Sequence, residues 1–322
     1  MRLRLVKQNT NFDFFSRWKL WLGISGVMMV VAFASFLLQG LNYGIDFRGG
    51  TTIRTESPRP VVVSEYRDAM TALGLGDITI TEVFDPNFGP EQNVAMIRIQ
   101  AQDDQEAVTP ELIAAVEGAL QTARPDIKFI SVESVGPKVS GELINTAILA
   151  VSLAIGAVLI YIWLRFEWQF AAGAVLALIH DVVLTIGVFS EVQIRFDLAI
   201  IAALLTIVGY SLNDTVVVFD RVRENLRKYK NRPLKEVLNM SINETLSRTF
   251  MTSFTTLLAL IALFVLGGDV IRGFVFAMIW GVIVGTYSSI FVASAILLYF
   301  GVKRDWSKPD ANAGNQYANI DA

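Results

Sequence analysis

The 322-residue chain has no cysteine and a single histidine, His180. Without thiols there is no thiol catalysis, no Cys-ligated metal and no disulfide to staple a small secreted domain. No Gly-x-x-x-x-Gly-Lys-Ser/Thr loop occurs either, which argues against direct ATP hydrolysis. Charge is also scarce. Asp, Glu, Lys and Arg make up 18% of the residues, against about 25% in soluble domains. Apolar residues take their place: 53% of the chain is hydrophobic and the mean hydropathy is +0.49. They fall in six runs, each near the roughly 20 residues that a helix rising about 1.5 Å per residue needs to cross about 30 Å of hydrocarbon. A soluble enzyme and a DNA-binding protein are excluded. The chain reads as an integral membrane protein.

The runs predict transmembrane helices over residues 18–38, 143–164, 170–189, 198–219, 249–266 and 274–300. The first exceeds the roughly 7–15-residue core of a secretory signal and has no small-x-small cleavage site after it, so it reads as a retained anchor. Basic residues in the short loops set the orientation. Arg2, Arg4, Lys7, Arg17 and Lys19 flank the start of the first span. Arg221, Arg223, Arg227, Lys228, Lys230, Arg232 and Lys235 crowd the 220–247 loop, and Lys303, Arg304 and Lys308 sit in the 301–322 tail. The short loops opposite carry Arg195 and Arg272. Residues 1–17, the 220–247 loop and the tail are therefore expected in the cytoplasm, and residues 39–142 outside. The 220–247 loop reads as the fourth helix running on, a break at residues 231–233, and a separate amphipathic helix lying along the membrane interface.

Residues 39–142 hold 8 basic and 16 acidic side chains, a balance that argues against nucleic acid as a partner. Strand-like alternation at 51–55, 78–84, 94–100 and 127–135 is interleaved with helical stretches at 62–73 and 110–122. Gly74 and Gly76 close the first helix; Thr109 caps the second, with Pro110 at its first position. The order β-α-β-β-α-β is that of a ferredoxin-like α+β domain, with a four-stranded sheet and two helices on one face. This region has no His or Cys and no nucleophile–base set, so no catalytic site is expected in it.

Ionisable groups inside a span are costly and point to function. The third span contains His180 and Asp181. The fourth places Thr206, Tyr210, Asn213 and Asp214 along one helix face, and the fifth opens with Arg248. Asp214 lies about six residues inside the cytoplasmic end of its helix, and Arg248 starts the next helix on that side. Separating a carboxyl from a guanidinium in low-dielectric surroundings binds a proton, and joining them releases it. Blander readings stand beside this one. Arg248 can snorkel to the interface, Asp214 with Asn213 can be interhelical hydrogen-bond glue, and His180–Asp181 can be a structural pair. Gly281 and Gly285 read as close helix packing.

Four stretches resemble the SecD/SecF family of bacterial protein-export membrane proteins, on its SecF side. They are 44–50 (Gly-Ile-Asp-Phe-Arg-Gly-Gly), 179–182 (Ile-His-Asp-Val), 209–225, which contains Asn213–Asp214, and 248–256, which opens with Arg248. The resemblance implies a polytopic inner-membrane protein of the resistance–nodulation–division class, with six transmembrane helices and one periplasmic domain. It implies that proton flow moves that domain, that SecD supplies the other six-span half, and that SecYEG, the translocating polypeptide and YajC are partners. Asp214 then resembles the proton-responsive aspartate, Arg248 its working arginine and Asp181 a recurrent third-span aspartate; His180, Tyr210 and Asn213, the polar residues beside them in the spans, complete the candidate proton-coupling set. Asp46, Arg48, Gly49 and Gly50 resemble the joint between the first span and the outer domain. No enzymatic hydrolysis, cofactor or metal is implied; protons are the coupling ion. Two other classes compete. A half-unit of a proton-driven small-molecule or lipid exporter would be expected to have a second six-span half in the same chain. A passive scaffold needs no titratable pair.

Overall fold

A computed structural model describes residues 10–71, 73–75, 78–100 and 109–302. Arg2, Arg4, Lys7, Gly76, Lys303, Arg304 and Lys308 lie outside the described residues. In chain order the elements are α1 (Trp18–Gln39), α2 (Ile45–Arg48), β1 (Gly50–Ser57), α3 (Val63–Thr71), β2 (Ile78–Val83), β3 (Asn93–Gln100), α4 (Pro110–Ala123), β4 (Lys128–Val135), α5 (Pro137–Arg165), α6 (Trp168–Val192), α7 (Leu198–Lys228), α8 (Leu234–Leu266), α9 (Gly268–Ser288) and α10 (Ser294–Phe300). A π-helical turn at Ser289–Ala293 joins the last two. The helices α1, α5, α6, α7, α8 and the α9–α10 unit are each long and apolar enough to cross a membrane.

The sheet runs β2-β3-β1-β4 with every pair antiparallel. Ile53 of β1 lies opposite Ile97 of β3 and Val132 of β4, so the central strands share one apolar face. Tyr66 and Met70 of α3 and Val116 and Leu120 of α4, spaced i and i+4, cover that face beside Ile80, Ala95 and Ile99. Thr109 accepts from Leu112 N at 3.3 Å and caps α4. Arg124 is buried where α4 ends. It donates to Pro60 O, Arg59 O and Ser57 Oγ and lies 5.4 Å from the Tyr66 ring.

In the bundle, α6 and the α9–α10 unit are the most enclosed helices. Val30 and Leu38 of α1, Leu153 and Leu164 of α5, and Leu258 and Leu266 of α8 stand exposed. Apolar surface of this extent belongs against lipid or further membrane helices. Glycines set the closest crossings. A side chain at Gly187 would collide with Ala32 of α1, and one at Gly281 with Ile207 of α7.

One expectation is corrected. The stretch from Leu234 is not a separate interfacial helix; it continues unbroken into the fifth span as the 33-residue α8. No glycine or proline occurs between Leu234 and Leu266, and Ser241, Thr245 and Thr252 hydroxyls bond back to carbonyls one turn earlier, so nothing ends the helix before Gly267. The reach of α7 and α8 exceeds a bilayer: 31 residues at about 1.5 Å is about 46 Å. Their ends away from the sheet domain form a hairpin held by Arg221 and Asn225, which both donate to Glu244. Asn243 and Asn239 clip the incoming chain there by bonding the backbones of Phe12 and Phe14.

Candidate functional site

Asp181 is almost fully enclosed, at 1% exposure, and three helices converge on it. Ser211 Oγ of α7 and Ser288 Oγ of α9 donate to its Oδ2 at 2.6 and 2.7 Å, and His180 Nδ1 lies 2.9 Å from its Oδ1. The His180 ring stacks on Tyr287, whose hydroxyl lies 2.9 Å from Ser25 Oγ and donates to Trp21 O. This network ties α1, α6, α7 and α9 at mid-bundle. His180 Nε2 is buried with no hydrogen-bond partner among the described residues.

Asp214 sits three residues after Ser211 on α7 and is 3% exposed. Its Oδ2 is buried and has no hydrogen-bond partner among the described residues. Arg248 and Thr252 of α8 are the side chains that act on it electrostatically. Arg248 itself is exposed along the outer face of α8. Tyr210 reaches α8 through a 3.5 Å bond to Thr256, and Asn213 is exposed. The face carrying Thr206, Tyr210 and Asn213 therefore opens beside Asp214, whereas Asp181 lies on the inner side of the same helix. The π-helical turn links the two sides. Ser288 bonds Asp181, and Ser289, the next residue, takes a 3.1 Å bond from Thr215, the neighbour of Asp214. A widened turn at this point fits the use of such turns at functional sites.

Asp46, Arg48, Gly49 and Gly50 lie at the joint. Gly49 and Gly50 have φ of 74° and 127°, conformations an L side chain rarely adopts. Arg48 is exposed and lies 6.0 Å from the Tyr43 ring. Asp46 Oδ2 accepts from Leu198 N at 2.9 Å, across to the start of α7. Beside it, burial pushes the Asp197 carboxyl above the usual carboxylate range; Arg195 pulls it back and Asp46 adds to the rise. A second contact, a latch, holds the sheet domain at the first turn of α9. Phe84 N donates to Asp269 Oδ2 at 2.6 Å, Asp269 N donates to Phe84 O at 2.9 Å, and Arg272 lies over the Phe84 ring. Between joint and latch a cavity of about 460 Å³ is lined by Arg54, Glu133, Arg195 and Asp197 among others.

Among the described residues no group of three or more His, Asp and Glu side chains is placed to hold a metal ion. Sequence reasoning passed over Ser211, Ser288, Ser289 and Tyr287. The available signal was the cost of three adjacent polar residues, 287–289, in an apolar run.

Residues 115–303 match the family described as protein export membrane protein SecD/SecF, C-terminal, and residues 34–57 match the SecD/SecF GG motif. The chain is 61% identical to protein translocase subunit SecF of Cereibacter sphaeroides, over 100% of this chain and 99% of that one. It is 57% identical to the SecF of Rhodobacter capsulatus, over 96% and 95% of the two chains. Among solved structures, SecDF from Thermus thermophilus, a translocon-associated membrane protein, superposes with a TM-score of 0.80 at 35% identity. That match covers 92% of this chain and 39% of the other, so this chain spans well under half of the SecDF length. A SecDF structure in a super-membrane-facing form covers 91% and 39% at 36% identity with a TM-score of 0.67.

Proposed function

This chain belongs to the SecF family of protein translocase subunits, and on that premise we propose that it is the six-span half of an inner-membrane complex with SecD that uses the proton motive force to promote late steps of polypeptide movement through SecYEG. YajC is a further partner in this reading. The basic α7–α8 hairpin faces the cytoplasm and the sheet domain faces the periplasm, the arrangement that the distribution of Lys and Arg favours. The chain hydrolyses nothing itself and needs no cofactor; the proton is the coupling ion.

One observation carries this reading: a carboxyl oxygen of Asp214 is buried mid-helix with no hydrogen-bond partner among the described residues, next to a helix that brings Arg248 and Thr252 toward it. Such an oxygen can take a proton when the guanidinium is distant and lose it when the guanidinium approaches. One carboxyl and one hydroxyl fall short of the oxygen cage that hard cations require, which favours a proton over sodium. Two SecDF structures that match 92% and 91% of this chain, at 35% and 36% identity, have TM-scores of 0.80 and 0.67, the second being in a super-membrane-facing form, so the neighbours themselves differ in arrangement. The energy available is bounded. A charge crossing the field yields about 2.3 kcal/mol per 100 mV, and each pH unit adds about 1.4 kcal/mol. A full two-state switch takes about 5.5 kcal/mol. One proton is marginal, so the cycle uses more than one proton or switches incompletely.

Depletion and co-isolation test the subunit reading. Depleting the chain should leave the precursor of an exported protein accumulating in the cytoplasm, and isolating the chain in mild detergent should bring SecD with it. Normal export after depletion, or isolation with efflux components in place of SecD, contradicts the reading and favours the exporter alternative.

A further inference from the structure

The start of α7 is capped from a distance. The first amides of a helix have no acceptor within it. The residue placed to serve them, Asp197, makes no close side-chain capping bond and its Oδ1 is buried without a partner among the described residues, although the Ala199 and Ile200 amides act on its carboxylate. Asp46, 152 positions earlier in the chain, accepts from Leu198 N instead. The backbone reinforces this contact. Gly44 N donates to Phe196 O and Phe196 N to Asn42 O, both at 2.8 Å, and Tyr43 pairs with Phe196 as a parallel bridge. A side chain at Gly44 would stand 3.1 Å from Arg195 Nε and 3.2 Å from Asp197 Cβ, so the approach depends on that glycine. Tyr43, Phe47, Phe189 and Phe196 pack their rings around the contact.

Asp46 belongs to α2, which passes through Gly49 and Gly50 into β1, a central strand of the sheet. At the other end, α7 runs from Leu198 about 24 Å, at about 1.5 Å per residue, to Asp214. One hydrogen bond thus connects the helix of the titrating carboxyl to the root of the sheet domain. We propose that Asp46 is a positioning residue for coupling: by capping α7 it makes the sheet domain follow the displacement of the helix that carries Asp214. The proposal rests on the proton-driven reading above and adds the element that transmits it.

The test uses inverted membrane vesicles containing the full chain with SecD and SecYEG, and measures uptake of a precursor protein with and without an uncoupler. Asp46→Ala removes the acceptor. Leu198→Pro removes the donor and sets the ring Cδ where the N–H pointed, so the Asp46 carboxylate must turn away; the backbone tolerates it, because proline is accepted at the first helical position and Asp197 already has an extended backbone (φ −124°, ψ −177°). Asp46→Asn keeps a side-chain oxygen acceptor. With membrane levels of both subunits unchanged, Asp46→Ala and Leu198→Pro should each lower the uncoupler-sensitive part of uptake about tenfold, within the range by which coupled sites influence one another. Asp46→Asn should restore it to within about threefold of the parent, as an acceptor without charge still caps. Parental uptake by Leu198→Pro overturns the proposal, and so does equal impairment of Asp46→Ala and Asp46→Asn. Should Asp46→Ala fail to accumulate, the other two variants decide. Asp214→Asn in the same vesicles separates the two levels. If it loses the uncoupler-sensitive part while Leu198→Pro keeps it, the transmission element alone is wrong; if Asp214→Asn keeps it, the proton-driven reading fails.

Discussion

Asp214→Asn should abolish the part of precursor translocation that depends on the proton motive force, while the uncoupler-insensitive part stays at the parental level. Asparagine has nearly the shape of aspartate and can accept and donate hydrogen bonds, but it cannot gain or lose a proton. Asparagine keeps the volume and an acceptor oxygen for Thr252, so the substitution should not weaken the bundle and the chain should accumulate in the membrane normally. The expected loss is about tenfold or more, the scale of coupling free energies between linked sites. Arg248→Met should produce a smaller loss, since it leaves the carboxyl in place and removes only the charge that drives its proton off. Arg248→Lys should recover part of that loss. An Asp214→Asn variant with full uncoupler sensitivity in a vesicle uptake assay excludes this residue as the proton site.

The second large effect concerns packing. Gly281 faces Ile207 so closely that any side chain there collides with it, and one turn on, a side chain at Gly285 would stand 3.0 Å from Ser211 Cβ. Ser211 is one of the donors to Asp181, so this crossing positions the buried network as well as the helices. Gly281→Val should push α7 from α9 and cost about 1–3 kcal/mol, as overpacked cores do, which lowers the folded-to-unfolded ratio roughly tenfold for each 1.4 kcal/mol. Gly156→Ala on α5, where a side chain would meet nothing within 4 Å, is the control and should be neutral. Thermal inactivation and protease resistance of the detergent-solubilised chain measure both. Equal stability of the two variants contradicts the close-packing account.

The parts of the molecule legible in the sequence are those whose cause is local. Run length marks the membrane helices, because hydrocarbon thickness sets how many apolar residues are needed. Thr109 and Pro110 mark the start of α4, and the alternation around Ile53, Ile80 and Ile97 marks the sheet, because a strand with one buried face must alternate. Asp214 and Arg248 stand out because charge in a span is costly. What escaped is long-range or structurally irregular. The contact of Asp46 with Leu198 joins residues 152 apart, and no periodicity encodes it. The Phe84–Asp269 latch spans 185 positions. The π-helical turn has no composition signal in Ser-Ile-Phe-Val-Ala. The continuity of α8 was obscured by its polar first half, where Ser and Thr hydroxyls satisfy themselves on the helix backbone instead of ending it.

The most direct test of the account measures the sheet domain itself. The chain has no cysteine of its own, so Asn87→Cys beside the latch and Val270→Cys in the first turn of α9 can carry a spin-label pair in a complex reconstituted with SecD. Imposing an inward proton gradient should change the distance distribution between the labels, and Asp214→Asn should hold it at one setting whatever the gradient. If the Asp214→Asn complex responds to the gradient as its parent does, titration of that carboxyl does not move the domain, and the central claim is wrong.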